Sequence, residues 1–226
     1  MTEVNRLLCL LQYGDSFFPS GAVSFSWGLE GLVHSGAIVG KADVEAFVIG
    51  QLRSRWANYE RPVIAAAHAG AASLGTIEAL DALVESTTTA AEVRNASRRM
   101  GSALLSVFAR LGHEPAQSYR LRMAAQMAHG HQIVMQGMLW ASAAVTGADA
   151  VVLSAHSLST TLLSAGVRLG CITHIDAQQI LAVARREAAV LAEMPMTPIE
   201  DISAGTIEAE IAIMHHAARD LRLFAN

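Results

Sequence analysis

Charge is scarce in this 226-residue chain: only 16% of residues are charged, against about 25% in an ordinary soluble domain. Aromatic residues make up 5%, and there are five prolines and two cysteines. Each shortage excludes something. With 16 basic and 20 acidic residues, a net charge of −4 and a pI near 6.1, no basic surface is available for a phosphate backbone, so nucleic acid is not an expected partner. Low charge with 52% apolar residues excludes disorder. Cys9 and Cys171 form no CxxC pair and fit a reducing, cytoplasmic setting. The length suffices for a core without disulfide or metal staples.

Alanine is plentiful, 41 residues against 12 aromatics, which favours closely packed helices over sheets. The apolar run Leu7–Leu11 is too short for a secretory signal, with only Arg6 close before it and no small-residue cleavage site after it. Between Arg122 and Arg168 the only formal charge is Asp149. Ile133–Ala148 and Ala150–Val167 have the length of two membrane spans. Gln136, Ser142, Thr146, His156 and the Ser and Thr residues between Ser154 and Ser164 interrupt them, and no Lys/Arg cluster or aromatic belt flanks them. A helical pair buried in a soluble protein is expected, with no membrane partner.

Helical spacing recurs along the chain, and no strand alternation lasts six residues. Val44, Phe47, Val48, Gln51, Leu52 and Arg55 share a face, in a helix that Pro62 is expected to limit. Val63–Ala72 reads as an alanine-rich helix, and Thr76 as the cap of a short one. Thr89–Glu92 and Thr173–Asp176 read as capping boxes. The first opens a helix carrying Val93, Ala96, Met100, Leu104, Val107 and Leu111, stopped by Gly112 and Pro115. The second opens one carrying Ile180, Val183, Ala184, Ala188 and Leu191, and a last helix starts near Ile207. The expected architecture is one all-α domain over residues 1–226, a compact bundle of roughly nine to ten helices. Residues 1–36 form a partly loop-like N-terminal segment and 217–226 a C-terminal tail.

Catalytic patterns are thin. Gly36–Ala42 resembles a phosphate loop, but its first glycine stands one residue too close and Ala42 replaces the magnesium-holding hydroxyl. His129 and His131 are two apart, with no third ligand nearby. His215 and His216 are adjacent and are the candidates for a weak zinc or nickel site. Cys171, with His174 three residues on, is enzyme-like in composition, although a small buried residue at a helix junction is the preferred reading. There is no Gly-x-Ser-x-Gly elbow and no paired acid/base set. The residues point to an interaction protein, not an enzyme, with no resident cofactor.

Leu10–Glu30, containing Gln12, Asp15, Ser16, Pro19, Gly21, Ser26, Gly28, Leu29 and Glu30, resembles the N-terminal signature of the UreF family of urease accessory proteins. Four later segments follow in the family's order. They are Glu92–Leu105 with Ser97 and Gly101, His131–Gly137, Val167–Gln178, and Ile211–His216 with Arg222–Phe224. Departures are local. Ala22 stands for a second glycine and Val23 for an aromatic. Cys171, Thr173 and His174 stand for Pro, Gly and Gln, and Ala225–Asn226 for an Arg-Ser-like end. A position that proline usually fills is a poor place for a required nucleophile, which weighs against Cys171.

The resemblance implies an all-α, non-enzymatic, dimeric scaffold. Such a protein bridges a UreD/UreH-type accessory protein and a UreG-type GTPase, docks on apo-urease and assists nickel insertion. Nickel cation binding by the chain itself would fall to His215 and His216. Pro19, Gly21, Ser26 and Glu30 at one end, and Arg222 and Phe224 at the other, become the partner-contact candidates, internal packing being the alternative at each. The other reading is a helical adaptor for a different metalloenzyme assembly.

Overall fold

The computed structural model describes residues 2–216 and 223–224, and all regular structure among them is helical. The α-helices are α1 (Glu3–Gly14), α2 (Leu29–His34), α3 (Lys41–Gln51), α4 (Arg61–Ala69), α5 (Leu74–Thr87) and α6 (Ala91–Arg110). They continue as α7 (Glu114–Ala124), α8 (Gln132–Ser142), α9 (Gly147–Arg168), α10 (His174–Glu193) and α11 (Ile207–His216). Leu52–Glu60 is π-helical and joins α3 to α4 without a break, so the described residues hold ten continuous α-helical runs. The residues group into two compact units, Met1–Gly21 with Arg61–Ser154 and Ala22–Glu60 with Ala155–Asn226.

Local chemistry explains most helix ends. Thr173 Oγ1 accepts from Asp176 N–H (3.1 Å) while Asp176 accepts from Thr173 N–H (3.0 Å), the capping box expected there. Gly112, at φ 88°, ends α6, and Pro115 lies in the first turn of α7. Two expectations need correcting. Ser73, not Thr76, caps α5, accepting from Thr76 N–H at 3.3 Å. α6 starts at Ala91, so Ala90 and not Thr89 stands at its N-cap position.

Pro62 does not end its helix. A proline lacks the N–H that would reach the carbonyl four residues back. The wider π turns carry the chain through that gap, and the carbonyl of Asn58 accepts instead from Ser203 N–H at 3.2 Å.

In the first unit, α8 is the central element. Ile133–Trp140 are all buried, so this helix is apolar on every side because it is covered on every side. At 11 residues it is also shorter than a membrane span requires. Glycine sets its closest approaches. A Cβ on Gly137 would stand 2.5 Å from the Ile64 carbonyl oxygen, so α4 and α8 touch backbone to backbone. A Cβ on Gly101 would stand 1.9 Å from the Gly130 carbonyl oxygen, bringing α6 against the lead-in to α8. α9 is the one described helix long and apolar enough to cross a membrane, yet 56% of its apolar window is buried in the protein.

In the second unit, α3 and its π extension pack on α10. Arg53 pairs with Glu187 (2.6 Å), and Lys41 bonds Gln179 and lies 3.8 Å from Asp176. Val44, Leu52, Trp56 and Ile180 are fully buried between them.

Candidate functional site

The N-terminal signature turns inward over most of its length. Ser26 is fully buried, and its hydroxyl accepts from Glu30 N–H (3.3 Å) in the first turn of α2. Gly28 takes φ 88°, and a Cβ there would stand 2.5 Å from the Ala209 carbonyl oxygen. Gly31, one turn on, meets Ala212 in the same way at 2.9 Å, so α2 lies directly on α11. Glycine is required at position 28 twice over, by dihedral and by space.

Glu30 is 1% exposed, and its Oε1 accepts the Leu223 N–H at 2.8 Å. Phe224 is buried beneath the Arg168 guanidinium, 4.2 Å from the ring centroid. Thus Ser26, Glu30 and Phe224 converge on one feature, a clasp that fastens the C-terminal segment to α2. Arg222 lies outside the described residues. Trp27 is left-handed at φ 53°, uncommon for a bulky residue. It is held by burial and by Arg55, stacked 3.8 Å above its ring and paired with Glu60 at 2.5 Å. Ala22, the departure from a glycine pair, does not have positive φ, so alanine carries no backbone penalty there.

The other end of the signature points outward. Pro19 is exposed, and Gly21 is half-buried at φ 76°, with a would-be Cβ 3.2 Å from the Ala103 methyl. Phe17 is 93% exposed. Before it, α1 has no buried residue, and Val4, Leu7, Leu8 and Leu11 form one exposed apolar face. α1 is fastened by Arg6, which bonds Glu3 and Asp149, and by Tyr13, stacked on Phe108 at 5.4 Å.

The His131–Gly137 segment rests on a hub that the sequence reading missed. Asp81 is 1% exposed, and its carboxylate accepts four hydrogen bonds. They come from Tyr119 Oη (2.9 Å) and from the N–H groups of His129 (2.7 Å), Gly130 (2.9 Å) and His131 (2.8 Å). Burial and the Asp81 charge push the Tyr119 phenol far above its ordinary range. One turn along α5, Glu85 bonds Arg98 and His131. Burial alone would raise the Glu85 pKa, but those two hydrogen bonds hold it below the ordinary value. Ser97 Oγ completes the network with His131 Nδ1 (3.1 Å) and Gln132 N–H (3.1 Å). His131 is fully buried, and burial keeps its imidazole below the ordinary pKa against the pull of Glu85. The available signal was the i, i+4 pair of acids on α5, which repel each other on a bare helix surface.

The remaining candidates separate. His129 and His131 both face Glu85, with ring centroids 6.0 Å apart; His131 Nε2 bonds its carboxylate at 2.8 Å, while His129 Nδ1 stands 3.8 Å from it. His215 is exposed, and the side chain of His216 lies outside the described residues. Among the described residues no three His, Cys, Asp or Glu groups are arranged to hold a metal. The Cys171 thiol bonds the Gly166 carbonyl (3.2 Å), burial raises its pKa, and His174 is exposed, so the pair forms no activated nucleophile. In the Gly36–Ala42 loop the Asp43 carboxylate already accepts the Val39 and Gly40 N–H groups that a phosphate would need.

A model of the UreF family matches residues 38–185, well over half of the chain. The chain belongs to the UreF family. The urease accessory protein UreF of Trichodesmium erythraeum (strain IMS101) is 31% identical over 231 aligned positions, covering 100% of this chain and 99% of that one. Urease accessory protein UreF 1 of Brucella melitensis biotype 1 is 29% identical, covering 97% and 92%. The UreF protein of Yersinia pseudotuberculosis serotype I (strain IP32953) is 27% identical, covering 99% and 100%. These relatives are all urease accessory proteins by name.

Proposed function

We propose that this UreF-family chain acts, as a homodimer in the cytoplasm, as a scaffold in urease maturation. It joins a UreD/UreH-type protein to a UreG-type GTPase on apo-urease, and nickel passes as cargo to the urease active site. The observation that supports this reading is α1 with Phe17. Val4, Leu7, Leu8 and Leu11 are 48–68% exposed on one face of a 12-residue helix, and Phe17 stands beyond it. An apolar stripe of that kind is a helix-in-groove or interface element. Pro19 continues the same outward segment, whereas Ser26, Glu30 and Phe224 act indirectly, by fixing the clasp of α2 and the C-terminal segment.

The test is co-purification of the tagged chain from cells expressing the accompanying urease genes, read by gel filtration with light scattering. Co-elution with both accessory proteins supports the scaffold. A soluble dimer that captures neither refutes it and favours an adaptor for another metalloenzyme.

A further inference from the structure

A cavity of about 530 Å³ opens in the second unit between α2, α3 and the start of α11. Leu32, Ile38 and Phe47 supply apolar wall, and Gln51 and Thr206 supply polar wall. Gln51 Oε1 and Thr206 Oγ1 have no hydrogen-bond partner among the described residues, although the two side chains are 4% and 9% exposed. Buried polar atoms are paired in the great majority of cases, because an unpaired one forfeits its hydration. Thr206 occupies the cap position of α11 but caps nothing. The first intrahelical bond there is Glu210 N–H to the Thr206 carbonyl (3.0 Å), so Ile207, Glu208 and Ala209 carry the N–H groups that a helix start leaves over.

The charge around the cavity decides the ligand class. Asp43 and Glu208 line it, and no lysine or arginine does. Two carboxylates disfavour an anion at this helix start. A neutral group that offers an acceptor to the α11 amides and the Thr206 hydroxyl, and a donor to Gln51 Oε1, satisfies every unpaired atom. A peptide unit does both, and an apolar side chain beside it meets Phe47, Leu32 and Ile38.

We propose that this cavity binds the main-chain amide of an apolar residue in an extended segment of a partner protein. The site goes beyond the scaffold reading and is tested without any urease component, so its failure leaves that reading standing.

The probe is N-acetyl-leucine N-methylamide, titrated into the full-length ¹⁵N-labelled protein. Saturable shifts of the Ile207, Glu208 and Ala209 amides are expected. Thr206→Val, which deletes one hydroxyl, and Gln51→Met, which replaces the whole side-chain amide, each at nearly constant volume, weaken binding about five- to ten-fold, the loss of one hydrogen bond. Both variants keep or raise the melting temperature, since each removes an unpaired buried group. Acetamide, which lacks the side chain, binds at least about ten-fold more weakly, the loss of one buried apolar side chain. Four results overturn the proposal: no shift with the capped leucine, equal binding of acetamide, acetate or phosphate acting in its place, or a lowered melting temperature in both variants.

Discussion

Replacing Asp81 by Asn tests the hub under α8 most directly. The carboxylate accepts three consecutive backbone N–H groups and the Tyr119 hydroxyl. Three of these bonds end on Oδ2 and one, from His131, on Oδ1. An asparagine can place its one carbonyl oxygen at the Oδ2 position and keep three acceptor contacts. Its NH₂ then faces the His131 N–H, donor against donor, which leaves a buried N–H unpaired at about 1–3 kcal/mol. The three retained bonds lose their charge assistance, about 1 kcal/mol each. Relief of carboxylate desolvation returns part of this, and the net loss expected is about 3–5 kcal/mol. For a chain of this size that is a fall of about 10 °C in melting temperature. Calorimetry measures it, and native-state amide exchange localises it, with protection lost first at residues 129–131. Tyr119→Phe removes one of the four donors and costs only about 1 kcal/mol. An Asp81→Asn protein within 1 kcal/mol of the parent refutes the reasoning, because the carboxylate would then not be the element that positions the His131–Gly137 segment.

Gly28→Ala adds a Cβ 2.5 Å from the Ala209 carbonyl at a left-handed φ, so it loosens α2 from α11 and lowers stability by about 2–4 kcal/mol; an unchanged unfolding midpoint refutes this. Stability falls with acid in two stages. His131 and His156 lie below their ordinary 6.5 when folded, so the unfolded chain takes up protons first and stability drops as pH falls below that value. Glu85, below its ordinary 4.5 when folded, adds a second loss as pH falls through 4.5. His131→Gln reduces the slope of the first stage, and a parent protein of constant stability between about pH 7 and pH 5.5 contradicts the assignment. Leu8→Glu with Leu11→Glu leaves the melting temperature unchanged and weakens partner capture by about 100-fold, the equivalent of about 3 kcal/mol of apolar burial; capture at parent affinity removes α1 from the interface. Nickel titration of the protein with His215→Ala and His216→Ala measures whether these histidines hold the cargo, and an isotherm unchanged from the parent rules that out.

Composition and spacing carried the all-helical class, the start of α11 and the Thr173–Asp176 capping box, and the resemblance of motifs in order carried the family. These rest on relations within about four residues, or on motifs whose order along the chain is itself the signal. The passage of Pro62 was not legible, because Pro62 withholds an N–H from Asn58, and the substitute comes from Ser203, 145 positions away from Asn58. The role of Asp81 was not legible, because the three backbone N–H groups that it accepts stand about 50 positions on. The signature residues illustrate the same divide. Ser26, Glu30 and Phe224 were identifiable as a set by resemblance, but only the packing of α2 against α11 turned them inward, while Pro19, Phe17 and the leucines of α1 stayed outside. Sequence fixes which groups need partners, since every buried donor and charge must find one. Which partner each receives is set by the backbone contacts that glycines 28, 31, 101 and 137 permit, and those exist only in the folded chain.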